Sequence, residues 1–257
     1  MATGAQIRPY SRGEWVTELM LEPVDLLVFG PHPDDIEIGM GGTVSRHVAL
    51  GHRVGLCDLT AGEMGSNGTV EERLAEADAA AALLGVSWRM NLGLPDRGLH
   101  ATSEHVTRIA SLVRSARPRT VALPYWSDRH PDHVAASALA NEAVFSAGLR
   151  RFPADGEAWK PASTCFYFIN DHVAPSFVVD VSDHYDTKRR ALACHVSQFA
   201  PQSPDAARTR LTSVRFQQLI ESRDAQFGAQ IGVAFAEGFV VTGPLTRPHL
   251  LPEAWNG

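Results

Sequence analysis

Short apolar runs, each stopped by glycine or proline, alternate along this chain with stretches of helical length, and no other feature restricts its fold so strongly. The first run, Val24 to Gly30 (VDLLVFG), is followed by a helical stretch over 37–50 that Gly51 ends, then by a second run over 53–59 (RVGLCDL). A glycine-rich loop over 62–68 leads to Thr69-x-x-Glu72, a capping box for an alanine-rich helix that Gly85 closes. Residues 90–94 read as a third strand and 120–125 (TVALPY) as a fourth. Between them lies a helix over 105–116, with Val106, Ile109, Ala110 and Val113 on one face. Strands that alternate with helices pair in parallel through right-handed crossovers. The expected fold is therefore α/β, a Rossmann-like, doubly wound, mostly parallel sheet with helices on both faces.

Further along, the pattern predicts a helix over 131–147, a surface loop over 152–161, strands over 165–169 and 177–181, and helices over 185–195 and 214–228. The polar, proline-punctuated stretch 198–210 reads as a lid or an interface segment. The 257 residues contain no repeat and no low-complexity linker, so one domain is expected over 1–257, with its core at about 22–245 and a C-terminal extension. A net charge of −6 lacks the strongly basic face of a nucleic-acid binder. Cys57, Cys165 and Cys194 are an odd set without C-x-x-C spacing, which fits a reducing cytoplasm. Met1 to Trp15 carries Arg8, Arg12 and Glu14 but no apolar core, and no stretch approaches the roughly 18 apolar residues of a membrane span. A soluble, unexported protein is expected.

Two clusters carry chemistry. His32-Pro33-Asp34-Asp35-Ile36-Glu37 follows strand 1 directly, and Asp128-Arg129-His130-Pro131-Asp132-His133 follows strand 4. In open parallel sheets, ligands bind outside the carboxyl ends of the strands where the strand order reverses, and in the usual 3-2-1-4 order these two loops face each other. Taken singly, Asp34 or Asp35 could merely cap a helix, and His130 or His133 could flank the proline of a helix start. Together, the clusters suit a catalytic zinc, which takes three nitrogen and oxygen ligands and keeps a fourth position for water. His32, Asp35 and His133 can supply the three. Asp34 is then free to act as general base on that water, and His130 to stabilise an oxyanion or protonate the leaving group. Iron(II) or cobalt(II) also fit such a site.

The same residues carry a resemblance. His32 to Glu37 followed by Gly39-Met40-Gly41-Gly42-Thr43, with His130-Pro131-Asp132-His133 downstream, resembles the PIG-L/LmbE-like family of zinc-dependent N-acetylglucosaminide deacetylases. The likeness extends through Asp58 to Glu63, Asn91 to Asp96, Ile231-Gly232-Val233 and Ala236-Glu237, and is greatest to the branch that deacetylates N-acetylglucosaminyl-malate in bacillithiol synthesis. It implies the same zinc ligands, base and oxyanion partner, and adds Arg73 as a residue that binds sugar hydroxyls. Arg129 is a further candidate, for a bidentate grip on a substrate carboxylate. The resemblance also implies a homo-oligomer, trimer or hexamer. Departures from the family pattern, Pro31, Ala61 and Phe235, lie outside the expected zinc shell.

The expected activity is therefore removal of acetate from a small amino-sugar conjugate, probed best by a panel of such conjugates. Two rivals remain at this stage: an amidase acting on a thiol-sugar conjugate through the same site, and a nucleotide-binding module without catalysis. The second lacks a G-x-G-x-x-G among Gly39, Gly41 and Gly42. Which of Asp34 and His130 protonates the departing amine stays open. Of the histidines outside the two clusters, the resemblance implies that His195 borders the substrate pocket, and the rest, His249 included, are read as structural or exposed.

Overall fold

The computed structural model describes residues 21–246. The polar lead-in over 1–15 and His249 lie outside the described residues.

One seven-stranded sheet organises the chain. β1 (Leu26–Gly30), β2 (Val54–Thr60), β3 (Trp88–Leu94), β4 (Thr120–Pro124) and β5 (Ser163–Tyr167) pair in parallel, and β6 (Phe177–Asp180) and β7 (Ala236–Val240) add antiparallel pairs. The order is β3-β2-β1-β4-β5-β7-β6, so β1 and β4 flank the point where the winding reverses. The connecting helices are α1 (Asp35–Ala49), α2 (Val70–Leu84), α3 (Ser103–Ala116), α4 (Pro131–Ala147), α5 (Tyr185–Cys194), the short α6 (Val196–Phe199) and α7 (Val214–Gln230).

The continuous apolar run of β1 has a direct cause. Leu27 and Phe29 enter a core shared with α3 and α4, while Leu26 and Val28 enter a second core with α1, α2 and α7. A strand covered on both faces needs no polar alternation. The capping box at Thr69 and Glu72 forms as expected, and Gly85 ends α2 in the left-handed conformation. These local signals place α2, and with it Arg73, against the loops after β1 and β2.

Two features differ from the expectation, and a third adds to it. α1 begins at Asp35 and is broken at Met40, whose φ of −151° and ψ of 25° are not helical. The C-terminal part of the described chain completes the sheet, because β7 inserts between β5 and β6. Its sequence, Ala-Glu-Gly-Phe-Val, hides a strand behind a glutamate and a glycine, both poor strand formers. The stretch over 198–210 is pinned to the glycine-rich loop: Asn67 Nδ2 donates to the Ala207 carbonyl at 2.9 Å, and its Oδ1 accepts from the Ala207 amide at 2.8 Å. Among the described residues, no helix is long and apolar enough to cross a membrane.

Candidate active site

The loop after β1 turns sharply because Asp34 adopts a φ of 117°, a region that L residues rarely occupy and that costs on the order of 1–3 kcal/mol. Asp34 stands at the N-cap of α1, yet its side chain makes no capping hydrogen bond. Its carboxylate is buried, Oδ2 has no hydrogen-bond partner, and Arg73 Nη2 lies 3.5 Å away. Arg73 itself is buried. Its Nη1 and Nη2 donate to the carbonyls of Gly62 (2.8 Å) and Pro33 (2.9 Å), tying the loop that carries Asp34 to the loop after β2. Gly62 is obligatory there: a Cβ would stand 1.9 Å from Arg73 Nη1, at a φ of +68°.

Asp35 is the next residue, at the first position of α1, and it joins the two clusters. Its Oδ2 lies 3.0 Å from His32 Nδ1 and accepts from the His32 amide at 3.1 Å, while Oδ1 lies 3.3 Å from His133 Nε2. The outward nitrogens of both imidazoles face carboxylates. His32 Nε2 is 3.4 Å from both Asp96 Oδ1 and Asp132 Oδ2, and His133 Nδ1 is 3.1 Å from Asp128 Oδ1. Asp128 is fixed by the amide and side-chain nitrogens of Asn170 (2.9 and 3.0 Å), and Asp132 by Arg97.

His130 caps α4. Its Nδ1 accepts the amide of Asp132 at 3.2 Å, and its ring stacks on His133 with centroids 4.7 Å apart. The helix-cap reading of this residue is thus met without excluding another role. One ligand atom from each of His32, His130 and His133 falls within 4.8 Å of the others, as does one from each of His32, Asp96 and Asp132.

The charges sort themselves by burial and partners. Burial pushes Asp34 up to about 6, against the pull of Arg73. Burial would raise Asp35 too, but His133 and His32 hold it well below the usual carboxylate range. For His32, desolvation is outweighed by hydrogen bonds to Asp132, Asp35 and Asp96, which hold it well above its ordinary value. His133 is likewise carried to about 9, desolvation notwithstanding, by Asp35 and Asp128. His130 moves the other way: burial and the neighbouring His133 and His32 lower it.

The sequence candidates His32, Asp34, Asp35, His130 and His133 therefore meet at the carboxyl ends of β1 and β4. Arg73 lines the same site but is buried, with both terminal nitrogens spent on backbone carbonyls. Arg129 is exposed beside His130 and makes no ion pair among the described residues. Sequence reasoning assigned no role to Asp96 or Asn170, which support the histidines from other loops. Nor did it foresee the buried Arg89, which donates to Asp58 and Glu37 beneath the site, with His195 Nε2 3.5 Å from Glu37.

Comparison with known proteins gives a consistent picture. The profile of the PIG-L family, described as GlcNAc-PI de-N-acetylase, matches residues 27–144. The diacetylchitobiose deacetylase of Thermococcus kodakarensis is 35% identical over 189 residues, 68% of this chain and 70% of the relative. The 1D-myo-inositol 2-acetamido-2-deoxy-alpha-D-glucopyranoside deacetylase of a Nocardioides strain is 25% identical over 255 residues, covering 70% of this chain and 84% of the relative. Among solved structures, a conserved protein of Thermus thermophilus superimposes with a TM-score of 0.81 at 40% identity, covering 90% of this chain and 99% of that one.

Proposed function

The chain belongs to the PIG-L family of deacetylases, and on that premise we propose that it hydrolyses the acetamide of an N-acetylglucosamine unit in a small conjugate, releasing acetate and a free amine. The observation that carries this reading is a buried carboxylate, Asp34, whose Oδ2 has no hydrogen-bond partner, adjoining a carboxylate that two histidines share.

The donor set suits a divalent cation. Two imidazole nitrogens face the oxygens of Asp35, and the opposite nitrogens face Asp96, Asp132 and Asp128, the outer carboxylates that orient metal-ligating histidines. His32, Asp35 and His133 would hold the ion, zinc by preference, with iron(II) or cobalt(II) also compatible. When bound, it supplies Lewis acidity to the amide carbonyl and lowers the pKa of a water.

The remaining steps belong to side chains. Asp34, raised towards neutrality, takes the proton of the attacking water. His130 accepts the Asp132 amide at Nδ1, so its neutral ring carries its proton on Nε2, a donor for the carbonyl oxygen as negative charge develops. A neutral imidazole with one N–H has no proton to give up readily. This favours Asp34, already holding the proton of water, as the group that returns it to the departing amine. Arg73 holds the Asp34 loop in place, and of its five N–H donors those not given to the Gly62 and Pro33 carbonyls are proposed to reach the sugar hydroxyls. Arg129, exposed and without an ion pair among the described residues, is proposed to meet the aglycone.

The named relatives act on diacetylchitobiose and on an inositol glycoside of N-acetylglucosamine. The exposed guanidinium of Arg129 beside His130 supports an anionic aglycone here, as in N-acetylglucosaminyl-malate. A panel of N-acetylglucosaminyl-malate, the inositol glycoside, diacetylchitobiose and N-acetylglucosamine, assayed for amine release with zinc-loaded protein, tests this. The malate conjugate should give the highest kcat/KM. No release from any member would end the deacetylase reading, and a clear preference for a neutral aglycone would end the role given to Arg129. We place the enzyme in the cytoplasm, in keeping with three free cysteines, and expect a trimer or hexamer on family resemblance alone.

A further inference from the structure

We propose that Arg223, on α7, is a positioning residue that braces two segments at once: the helical turn that carries Asp35 and the strand exit that orients His133. The inference rests on the assignment of Asp35 and His133 as metal ligands made above.

The break in α1 exposes its own backbone. In an unbroken helix the Gly42 amide would donate to the Ile38 carbonyl. Here the Ile38 carbonyl accepts from Arg223 Nη2 at 2.8 Å, and the amides of Gly42 and Thr43 donate to Glu237 Oε1 and Oε2 at 3.0 and 2.6 Å. The short first segment, which begins with Asp35, is thus held at its far end by Arg223, and the second segment is capped by Glu237 from β7.

The same guanidinium reaches the other side of the site. Nη1 donates to the carbonyls of Phe168 (3.0 Å) and Ile169 (2.9 Å), the two residues before Asn170. Asn170 fixes Asp128, and Asp128 faces His133 Nδ1. Arg223 is therefore within three hydrogen-bonded links of His133 and one helical turn of Asp35.

The strut is itself oriented. Nε donates to Asp224 Oδ1 at 2.9 Å, and Asp224 Oδ2 accepts from Lys188 Nζ (2.6 Å) and Tyr185 Oη (3.1 Å). Lys188 also donates to Glu237 Oε1 at 2.6 Å, closing the circuit on α1. All four charged side chains are buried, two of each sign, so the cluster is internally compensated. A planar fork with fixed donor directions suits this task; a lysine, a single point charge, cannot span the carbonyls of Ile38 and of Phe168 and Ile169 together.

The test compares R223K, E237Q and a control, Val54→Ala, in the core at the opposite, amino edge of the sheet. Zinc affinity is read by competition with a chromogenic chelator, ligand geometry by the visible bands of the cobalt-substituted protein, and stability by Tm. R223K should bind zinc about tenfold more weakly or worse, as for loss of an outer-shell partner, and shift the cobalt bands, while V54A, with at least as large a loss of Tm, leaves both unchanged. If R223K is not recovered folded, E237Q decides, with a weaker zinc affinity expected in the same comparison. Zinc affinity within twofold of wild type in the deciding variant, or an equal loss in V54A, overturns the proposal. A wild-type chain that takes up no divalent cation overturns the metal-site reading, and this inference with it.

Discussion

Asp34 sits where an aspartate ordinarily caps a helix, yet it caps nothing. The turn holds it in a strained conformation, buries it beside Arg73 and leaves Oδ2 without a hydrogen bond. A folding chain gains nothing from such a residue, and strain of this kind persists where function uses it. Asp34→Asn keeps the shape and removes the ability to take a proton. Turnover should fall about 10²- to 10⁴-fold, the usual worth of a positioned base, with zinc content by elemental analysis unchanged. A variant that released amine at more than about a tenth of the wild-type rate would remove Asp34 from the mechanism. At this scale the sequence was informative where function packs residues together: His32, Asp34 and Asp35 lie within one turn, and His130 and His133 within another. It was silent where the same residues are supported from afar. Asp96, Asn170 and Arg223 arrive from three different elements, and no local spacing announces them. Lys188 was invisible for another reason, since a lysine is almost never fully buried and its letter gives no hint of two carboxylates waiting 2.6 Å away.

α1 shows what one element must reconcile. Its amino end presents Asp35, while its middle passes close to β5 and α5. The glycines at 39, 41 and 42 permit this approach: a Cβ on Gly39 would stand 2.2 Å from the Tyr167 ring and 2.8 Å from the Phe168 carbonyl, and one on Gly42 would stand 2.8 Å from Val181. The Phe168 carbonyl cannot step aside cheaply, since Arg223 already binds it, and the Tyr167 hydroxyl donates to the Phe29 carbonyl at 2.8 Å. Gly39→Ala should therefore destabilise the protein by about 1–3 kcal/mol in urea unfolding, the range for an overpacked core. Retention of the full wild-type midpoint would mean that the helix does not approach β5 as described. Elements with strong local signals were legible from the sequence, α2 through its capping box and β1 through its apolar run. The break at Met40 and the strand β7 were not. The two meet in one tertiary contact, Glu237 of β7 accepting the amides of Gly42 and Thr43 just past the break, which local patterning does not encode.

Across the whole molecule, the doubly wound sheet converts sequence distance into proximity. The loops after β1 and β4 meet because the winding reverses between those strands, and this much of the topology followed from the alternation of strand and helix. What the alternation does not convey is the electrostatic cost. Asp34, Asp35, Asp96, Asp128 and Asp132 converge on one end of the sheet, answered locally by His32, His133, Arg73 and Arg97. A cation shared by His32, Asp35 and His133 would relieve that concentration of charge and reinforce the link between α1 and α4 that Asp35 and His133 already make. Because it binds the folded state and has no comparable site in the unfolded chain, it should stabilise by about 3–4 kcal/mol when free zinc exceeds its Kd by a few hundredfold to a thousandfold. For a chain of this size that corresponds to a rise in Tm of about 6–15 °C. Thermal unfolding after exhaustive chelation, and again after zinc is returned, measures it. The chelated protein should melt lower and lose amine release, and both should recover together. If Tm and activity are indifferent to chelation while elemental analysis shows the metal gone, the carboxylates and histidines hold one another without a cation, and the hydrolytic site must be sought elsewhere in the fold.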